Sequence, residues 1–315
     1  MTRLENLVPA TLSLPGYSLG LPQRAGALTM VPVHGPGRPG IVPPRSGLKL
    51  HRVVGYGNVE LHNGADSGVA IVPLHIGYIQ DGAQNHALCS AALMAAGQTR
   101  LFRDACCVQA AQGGYLEGRD QWFFVLPWEL RGKALELRGR EGYSKLWTDI
   151  SAVNRRYGLA ERGHLEQILT RKRAVLTQFR NRLELEPEQL GAVFFVGDTF
   201  VGLEIAPDPR FFAEMWMPLV CFAYGVAAWH AEPQRVEPEP FEATDLTGLR
   251  SALERSRTDR EREVLSWLPA RTDLTAVEEE RYLDLRLHTV TGTGLAGQVV
   301  GEHDRIVYAS IFATN

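Results

Sequence analysis

Cysteine is scarce in this sequence and is not arranged for binding metal. Among 315 residues there are four cysteines, and none belongs to a Cys-x-x-Cys pair. A chain of this length buries roughly three quarters of the surface that its unfolded form exposes, so it needs no disulfide framework to fold. We therefore expect free thiols in a reducing compartment and no metal centre. The cysteines are Cys89, Cys106, Cys107 and Cys221.

The sequence also lacks a long apolar run and an excess of either charge. Its longest apolar stretch, residues 217–229, is interrupted by Pro218 and Gly225 and is too broken for a membrane span. No basic segment followed by an apolar one opens the chain, so we expect no signal peptide. The 33 basic and 36 acidic residues give a net charge of −3, which argues against a chain-wide affinity for nucleic acid or membranes. We expect a cytoplasmic protein with neither as a partner.

The remaining composition is that of a globular protein, with 45% hydrophobic and 22% charged residues. Residues 1–27 are irregular and rich in proline and glycine. Residues 28–130 form a β-rich half, and residues 131–315 form an α+β half that is expected to share a core with the first. The predicted fold class is α+β: a sandwich-like N-terminal half, a helical middle, and a C-terminal β-hairpin, helix and three-stranded meander.

Strands dominate the first half because short apolar or alternating segments there are separated by glycine, proline and asparagine. Asn63-Gly64 is a tight-turn signal, and Pro73 indicates an edge or bulge inside one apolar segment. The predicted strands are residues 28–33, 48–54, 58–62, 69–79 (one strand or a strand pair), 86–93, 99–109 and 122–126.

The second half shows helical periodicity first and strand periodicity afterwards. Residues 144–157 and 164–185 are predicted helices, and residues 191–196 and 200–205 a hairpin. Asp208-Pro209 indicates the start of an apolar helix that is kinked at Pro218. A charged helix over residues 245–268 follows, and the chain closes with three predicted strands, residues 282–290, 295–300 and 306–312.

Two segments have a more specific pattern. The first runs from Gly82 to Cys89 and is followed by the strand from Ala105 to Gln109. The second is the hairpin with its following helix, which carries the spacing Phe212-x-x-x-Trp216. With the Leu146-Trp147 helix and the final meander, these features occur in an order that resembles the ARG-and-rhodanese-phosphatase-superfamily-associated protein family, over residues 28–313. The resemblance implies a role in NAD or ADP-ribose metabolism.

This sequence departs from the family pattern at several charged positions. The family's Gly-Glu-Glu is replaced by the stretch Gly77-Tyr78-Ile79-Gln80, its lysine before Gln84 is absent, and its arginine is replaced by His86. Its Gly-Arg-Trp is replaced by the stretch Gly113-Gly114-Tyr115, and a frequent histidine of the last strand corresponds to Tyr308. The resemblance implies that an activity depending on those charged groups is altered or lost here.

Candidate site residues lie where one predicted strand ends and the next begins. Asp81, Gln84, Asn85 and His86 are the predicted ligand-binding residues, because amides can bond a ligand's ribose or phosphate. His86 is also a candidate acid or base. In the alternative interpretation, Gln84 and Asn85 bond backbone groups of a structural turn. Cys107 is a candidate nucleophile if a cation such as Arg103 or His86 lowers its pKa, and otherwise a packed thiol.

Two functional hypotheses follow from these patterns. In the first, the protein binds or processes a small polar ligand of the NAD or ADP-ribose type. In the second, it is a non-catalytic interaction or scaffold protein, with a homo-oligomer as one form. No cofactor or metal site is evident, and the sequence carries no nucleophile–base or phosphate-loop motif.

Overall fold

The computed structural model describes residues 16–55, 57–79, 84–110, 122–141, 146–231, 243–269 and 274–314. These residues form an α+β fold, which confirms the predicted class. The strands are, in chain order, β1 Ser18–Leu19, β2 Gln23–Ala25, β3 Leu28–His34, β4 Ile41–Val42, β5 Leu48–Val53, β6 Val59–Asn63, β7 Val69–Val72, β8 Ile76–Ile79, β9 His86–Ala87, β10 Ala92–Ala95, β11 Thr99–Phe102, β12 Cys106–Cys107, β13 Trp122–Val125, β14 Gly191–Val196, β15 Thr199–Ile205, β16 Thr275–Tyr282, β17 Leu285–Gly292, β18 Leu295–Glu302 and β19 Arg305–Ala313.

The helices include two segments in which the backbone winds more widely, with hydrogen bonds from i to i+5. These π-helical segments are Gln167–Arg171 and Pro218–Ala223. The α-helices are α1 Pro44–Gly47, α2 Trp128–Glu136, α3 Trp147–Arg156, α4 Arg173–Arg182, α5 Pro209–Met217, α6 Gly225–His230 and α7 Leu246–Ser266.

The largest sheet is antiparallel and joins the two ends of the described chain. Its order is β1-β3-β14-β15-β19-β18-β17-β16, and β2 pairs with the free part of β3. The predicted hairpin β14–β15 lies at its centre, with β3 on one side and β19 on the other. Gly202 permits this arrangement, because a Cβ there would lie 2.1 Å from the Tyr224 hydroxyl oxygen.

The C-terminal meander contains one strand more than the sequence predicts. The predicted strand over residues 282–290 is interrupted by a turn at Leu283, where φ is 51°. The residues before this turn form β16, an edge strand that pairs only with β17 in this sheet. Most β16 side chains are exposed, so the strand carries no apolar face from which periodicity could predict it.

The N-terminal strands lie in three small sheets: β10-β7-β4, β11-β6-β5 and β12-β9-β8-β13. Residues 69–79, predicted as a strand or a strand pair, form two strands, because Pro73 ends β7 and His75, with φ of 61°, turns the chain into another sheet. Asn63-Gly64 does not close a hairpin with the next strand. Instead the Asn63 side chain donates to the carbonyls of Met94 and Ala95, which fastens the end of β6 to β10.

The apolar helix after the hairpin begins and bends where the sequence predicts. The Asp208 carboxylate accepts from the Phe211 amide at 2.8 Å, as an N-cap should. Pro218 cannot donate a helical hydrogen bond, and the π-helical segment begins there. The predicted helix over residues 164–185 is likewise divided, with α4 starting only at Arg173. The stretch Pro209–His230 is long and apolar enough to cross a membrane, but 83% of its most apolar window is buried in the fold, as in a core helix.

One large apolar cluster takes side chains from both predicted halves. It includes Leu28 and Leu93 from the first half, and Phe212, Tyr224 and Phe312 from the second. A second cluster lies between the nine-stranded sheet and the end of α7, where Val264 is fully buried. The division of the chain at residue 130 stays a prediction.

Candidate functional site

The turn predicted to bind a ligand packs inside the fold. Gln84, Asn85 and His86 are all buried. The Gln84 side-chain amide donates to the Gln109 carbonyl at 3.0 Å, and the Asn85 backbone N–H donates to the Gln109 side chain at 3.1 Å. The Asn85 carbonyl in turn accepts from Val108. These contacts join the segment before β9 to the strand at β12.

Both ring nitrogens of His86 form hydrogen bonds with backbone groups. Nδ1 lies 2.8 Å from the Gln84 carbonyl oxygen, which can only accept, so Nδ1 carries the proton. Nε2 accepts from the Gly57 backbone N–H at 3.3 Å. Burial lowers the pKa of His86, and the bond to Gln84 opposes it only in part. The ring is therefore neutral and engaged at both nitrogens.

Cys107 lies directly opposite His86 in the β9–β12 pair. Its Sγ donates to the Gln109 carbonyl at 3.1 Å. Burial raises the pKa of the Cys107 thiol, and hydrogen bonds to Gln109 and Trp147 oppose that rise. A raised pKa disfavours the thiolate that a nucleophile requires. The environment is that of a packed thiol.

The structure thus brings Gln84, Asn85, His86 and Cys107 together, in contacts typical of a structural turn. Asp81 lies outside the described residues. The ligand-binding and catalytic roles of these five residues stay predictions. Within the described part of the chain, no three His, Cys, Asp or Glu side chains converge as a metal site would require.

A second polar cluster, which we did not predict from the sequence, centres on Arg131 of α2. Its guanidinium is fully buried, and Nη1 lies 2.6 Å from Oε1 of Glu204 in β15. Nη1 also donates to the Tyr224 hydroxyl at 2.9 Å. The same hydroxyl donates to Oε1 of Glu204 at 2.6 Å. Nη2 donates to the Ser310 hydroxyl, and Nε donates to Nδ1 of His75 at 3.3 Å. We call these five residues the Arg131 cluster.

The protonation states in the Arg131 cluster follow from burial and from the pair of opposite charges. Burial disfavours the charged guanidinium, but the Glu204 carboxylate beside it outweighs burial and raises the pKa of Arg131. Burial, followed by the charge of Arg131, holds the pKa of His75 well below its usual range, while a contact with the Cys89 backbone opposes them. The cluster therefore holds a charged arginine and a neutral histidine.

Little free space adjoins the Arg131 cluster. The adjoining cavity is about 10 Å³ and is lined by Leu74, Val125, Phe211 and Tyr308, among others. A space of that size holds at most one water molecule. The Arg131 cluster therefore joins elements of the core.

A more open concave surface lies between α4 and α6. This α4–α6 groove measures about 260 Å³, close to the lower end of the range for small-molecule sites. Trp229 of α6 lines the groove and is 45% exposed, although the preceding residues of this helix are buried. Phe179 lines it as well and packs against Gly225, where a Cβ would lie 2.9 Å from the ring. Gly26, in the turn between β2 and β3, also lines the groove.

Two polar side chains border the α4–α6 groove. Gln178 and Arg182 lie one turn apart on α4, and both are exposed. Arg182 forms no ion pair with any described residue. The groove therefore combines aromatic surface with an available cation, a combination suited to a planar ligand that carries an anionic group.

The fold and these sites define an α+β protein with a central antiparallel sheet, a buried ion-pair cluster and an aromatic surface groove. The chain belongs to the family of the ARG and Rhodanese-Phosphatase-superfamily-associated Protein domain, whose family model matches residues 16–312. This confirms the resemblance found in the sequence. The family's name records an association with those proteins and does not state a reaction. No curated protein and no solved structure matches the chain significantly.

Replacing Arg131 tests whether its buried ion pair with Glu204 stabilises the fold. In Arg131→Met the Glu204 carboxylate stays buried without its counter-ion, so we expect the free energy of unfolding to fall by about 3–5 kcal/mol. Arg131→Met/Glu204→Gln should recover much of this loss. Urea denaturation followed by circular dichroism measures both. Arg155→Met removes an exposed ion pair with Glu161 and should leave stability nearly unchanged. Equal stability of wild type and Arg131→Met would contradict the assignment.

The lowered pKa of His75 predicts a loss of stability in acid. In the unfolded chain the imidazole takes up a proton as pH falls through about 6.5, whereas in the fold it stays neutral. The stability contributed by neutral His75 is complete above that pH and declines below it, by at most about 1.4 kcal/mol per pH unit.

The variant His75→Asn separates this effect from other acid-sensitive groups. Asparagine tolerates the positive φ at this position and can accept from Arg131. We expect its free energy of unfolding to decline less steeply than that of wild type between pH 6.5 and 5, while His86 maintains a residual slope. Parallel pH profiles for the two proteins would contradict this prediction.

Proposed function

We propose that the protein binds a small ligand, with a planar ring and an anionic group, in the α4–α6 groove. The observation that carries this proposal is the exposure of Trp229 beside Arg182. Trp229 comes after four buried residues of α6 and exposes apolar surface to water, and a stacked ring would cover that surface. Arginine suits a phosphate or carboxylate, since its planar fork donates two parallel hydrogen bonds.

Ligands of the NAD or ADP-ribose type combine these two features, an adenine ring and phosphates. The family resemblance seen in the sequence implies the same class of ligand, NAD or ADP-ribose. The groove is smaller than a whole dinucleotide, so the proposed contact is the base with its nearest phosphate. Among the described residues that line the groove, none is arranged as a nucleophile or a general base, and the function that we propose is binding.

A second candidate function, protein–protein interaction, is favoured by the exposed face of α7. Leu246, Leu249 and Leu253 recur at helical spacing and are 85%, 37% and 48% exposed. Arg250 and Glu254 lie beside them. In an antiparallel pair of α7 helices, each Arg250 would face the Glu254 of the other copy. The face is thus complementary to itself in charge and apolar surface, so the partner that we propose is a second copy of this chain.

Thermal-shift titration tests ligand binding. A ligand bound only by the folded state stabilises it, by about 2.7 kcal/mol at one hundred times its dissociation constant. We expect ADP-ribose, NAD or ADP to raise the melting temperature, and ribose 5-phosphate, which lacks a base, to raise it much less. Trp229→Ala and Arg182→Gln should each remove most of the shift.

The matched control is Arg180→Gln, which alters another exposed arginine of α4 that does not line the groove. Its shift should equal that of wild type. Absence of a shift with all three adenine compounds at millimolar concentration would refute the nucleotide ligand. A shift that persists in both groove variants would place the ligand elsewhere.

The oligomeric state tests the second candidate. Light scattering after gel filtration should give the mass of a dimer for wild type and of a monomer for Leu253→Glu, because a buried carboxylate would oppose the helix pair. Leu265→Glu, on the same helix and 43% exposed before substitution, is the control and should stay dimeric. A monomeric wild type at high micromolar concentration would exclude this interface.

A further inference from the structure

Two of the four cysteines meet in the core. Cys89 follows β9, Cys106 lies in β12, and their sulfur atoms are 2.8 Å apart. Unbonded carbon atoms prefer separations of about 3.5–4.0 Å, and sulfur is larger than carbon. A disulfide bond measures about 2.05 Å. The fold therefore holds the two sulfur atoms closer than ordinary packing requires.

The surroundings of the pair favour a bond between these two atoms and no other. Both cysteines are fully buried, so neither thiol is presented to another molecule. Cys107 is adjacent in sequence to Cys106, but successive strand residues point to opposite faces, so its Sγ is directed away from the pair. A bond to a backbone carbonyl does not distinguish these thiols, since the Cys107 Sγ donates to Gln109 at 3.1 Å and the Cys89 Sγ donates to Asp104 at 3.0 Å. Cys221 lies in the π-helical segment Pro218–Ala223.

We propose that Cys89 and Cys106 form a reversible intramolecular disulfide when the protein meets a peroxide, while Cys107 and Cys221 stay thiols. One thiolate attacks a peroxide oxygen, which gives a sulfenic acid and releases hydroxide or water. The second sulfur then attacks the sulfenic sulfur and displaces its oxygen as water. With hydrogen peroxide the sum is two thiols and one peroxide converted to one disulfide and two molecules of water.

Burial decides which oxidant reaches the pair. Hydrogen peroxide is nearly as small as water and can enter during local opening, whereas a disulfide such as oxidised glutathione must first form a bulky mixed disulfide. We therefore expect faster oxidation by peroxide than by glutathione disulfide, and reversal by dithiothreitol under conditions that loosen the fold.

The bond would close a loop that contains β10 and β11. Residues 89 and 106 are 17 positions apart, and closing a loop of this length stabilises a protein mainly by restricting its unfolded chain. The oxidised protein should melt about 5 °C higher than the reduced one.

The experiment uses the full chain, first reduced and desalted, then treated with hydrogen peroxide and alkylated after denaturation. We expect an intact mass lower by two hydrogen atoms, two alkylated thiols in place of four, and a peptide pair linked through Cys89 and Cys106. Cys89→Ala and Cys106→Ala should abolish the link, whereas Cys107→Ala and Cys221→Ala should retain it. Because substitutions in the core can reduce stability, circular dichroism is used to check that the variants fold. If a variant does not fold, the linked peptide of the wild-type protein still tests the proposal.

Three results would overturn the proposal. The first is four alkylated thiols after treatment that oxidises a free thiol peptide in the same tube. The second is a gain of oxygen atoms without a link. The third is a disulfide through Cys107 or Cys221, or between two chains.

Discussion

The buried pair of Arg131 and Glu204 is the interaction on which the rest of the fold depends. Arg131 comes from α2, Glu204 from the central hairpin, and the remaining partners from the end of the π-helical segment, the last strand and the turn after β7. An isolated charge in a protein interior is very costly, so each partner must be in place before the arginine can be buried. The guanidinium also lies 4.6 Å from the Phe312 ring, which adds a cation–π contact. Five separate stretches of chain are thereby held in a single arrangement.

Elements whose signals are local could be predicted from the sequence. The hairpin β14–β15 has apolar strands around a Gly197-Asp198 turn, and Asp208 with Pro209 marks the next helix, so neighbouring residues alone determine them. Where tertiary contacts decide, the prediction was wrong in detail. The strand β16 is acidic and exposed because it borders the sheet, and the helix predicted over residues 164–185 is divided by a π-helical segment that no periodicity reveals.

The same distinction holds for the sites. The segment with Gln84 and Asn85 has a recognisable pattern, but the pattern does not show whether the segment faces a ligand or the protein. Here the Gln84 side-chain amide and the Asn85 backbone N–H both bond Gln109. Arg131 could not be identified, since its burial depends on partners from distant positions. Glu204 did carry a signal, because a carboxylate inside the apolar strand from Phe200 to Ile205 must find a counter-charge or stay protonated. The exposure of Trp229 depends on how α4 packs beside α6, which is again a tertiary property.

The Arg131 cluster and the Cys89–Cys106 pair are neighbours, whereas the α4–α6 groove is built from other elements. His75 connects the first two, since it accepts from Arg131 and contacts the Cys89 backbone. The cavity beside the cluster is about 10 Å³, which leaves little room for adjustment. Bringing the sulfur atoms from 2.8 Å to bonding distance should therefore displace His75. It should also change the loss of stability in acid that His75 causes. No described residue of α4 or α6 belongs to the cysteine pair, although Tyr224 of the Arg131 cluster directly precedes α6 and its carbonyl accepts from the Ala228 backbone N–H. The redox state of the cysteines and the occupancy of the groove should accordingly vary independently, with the first altering stability and the second recognition.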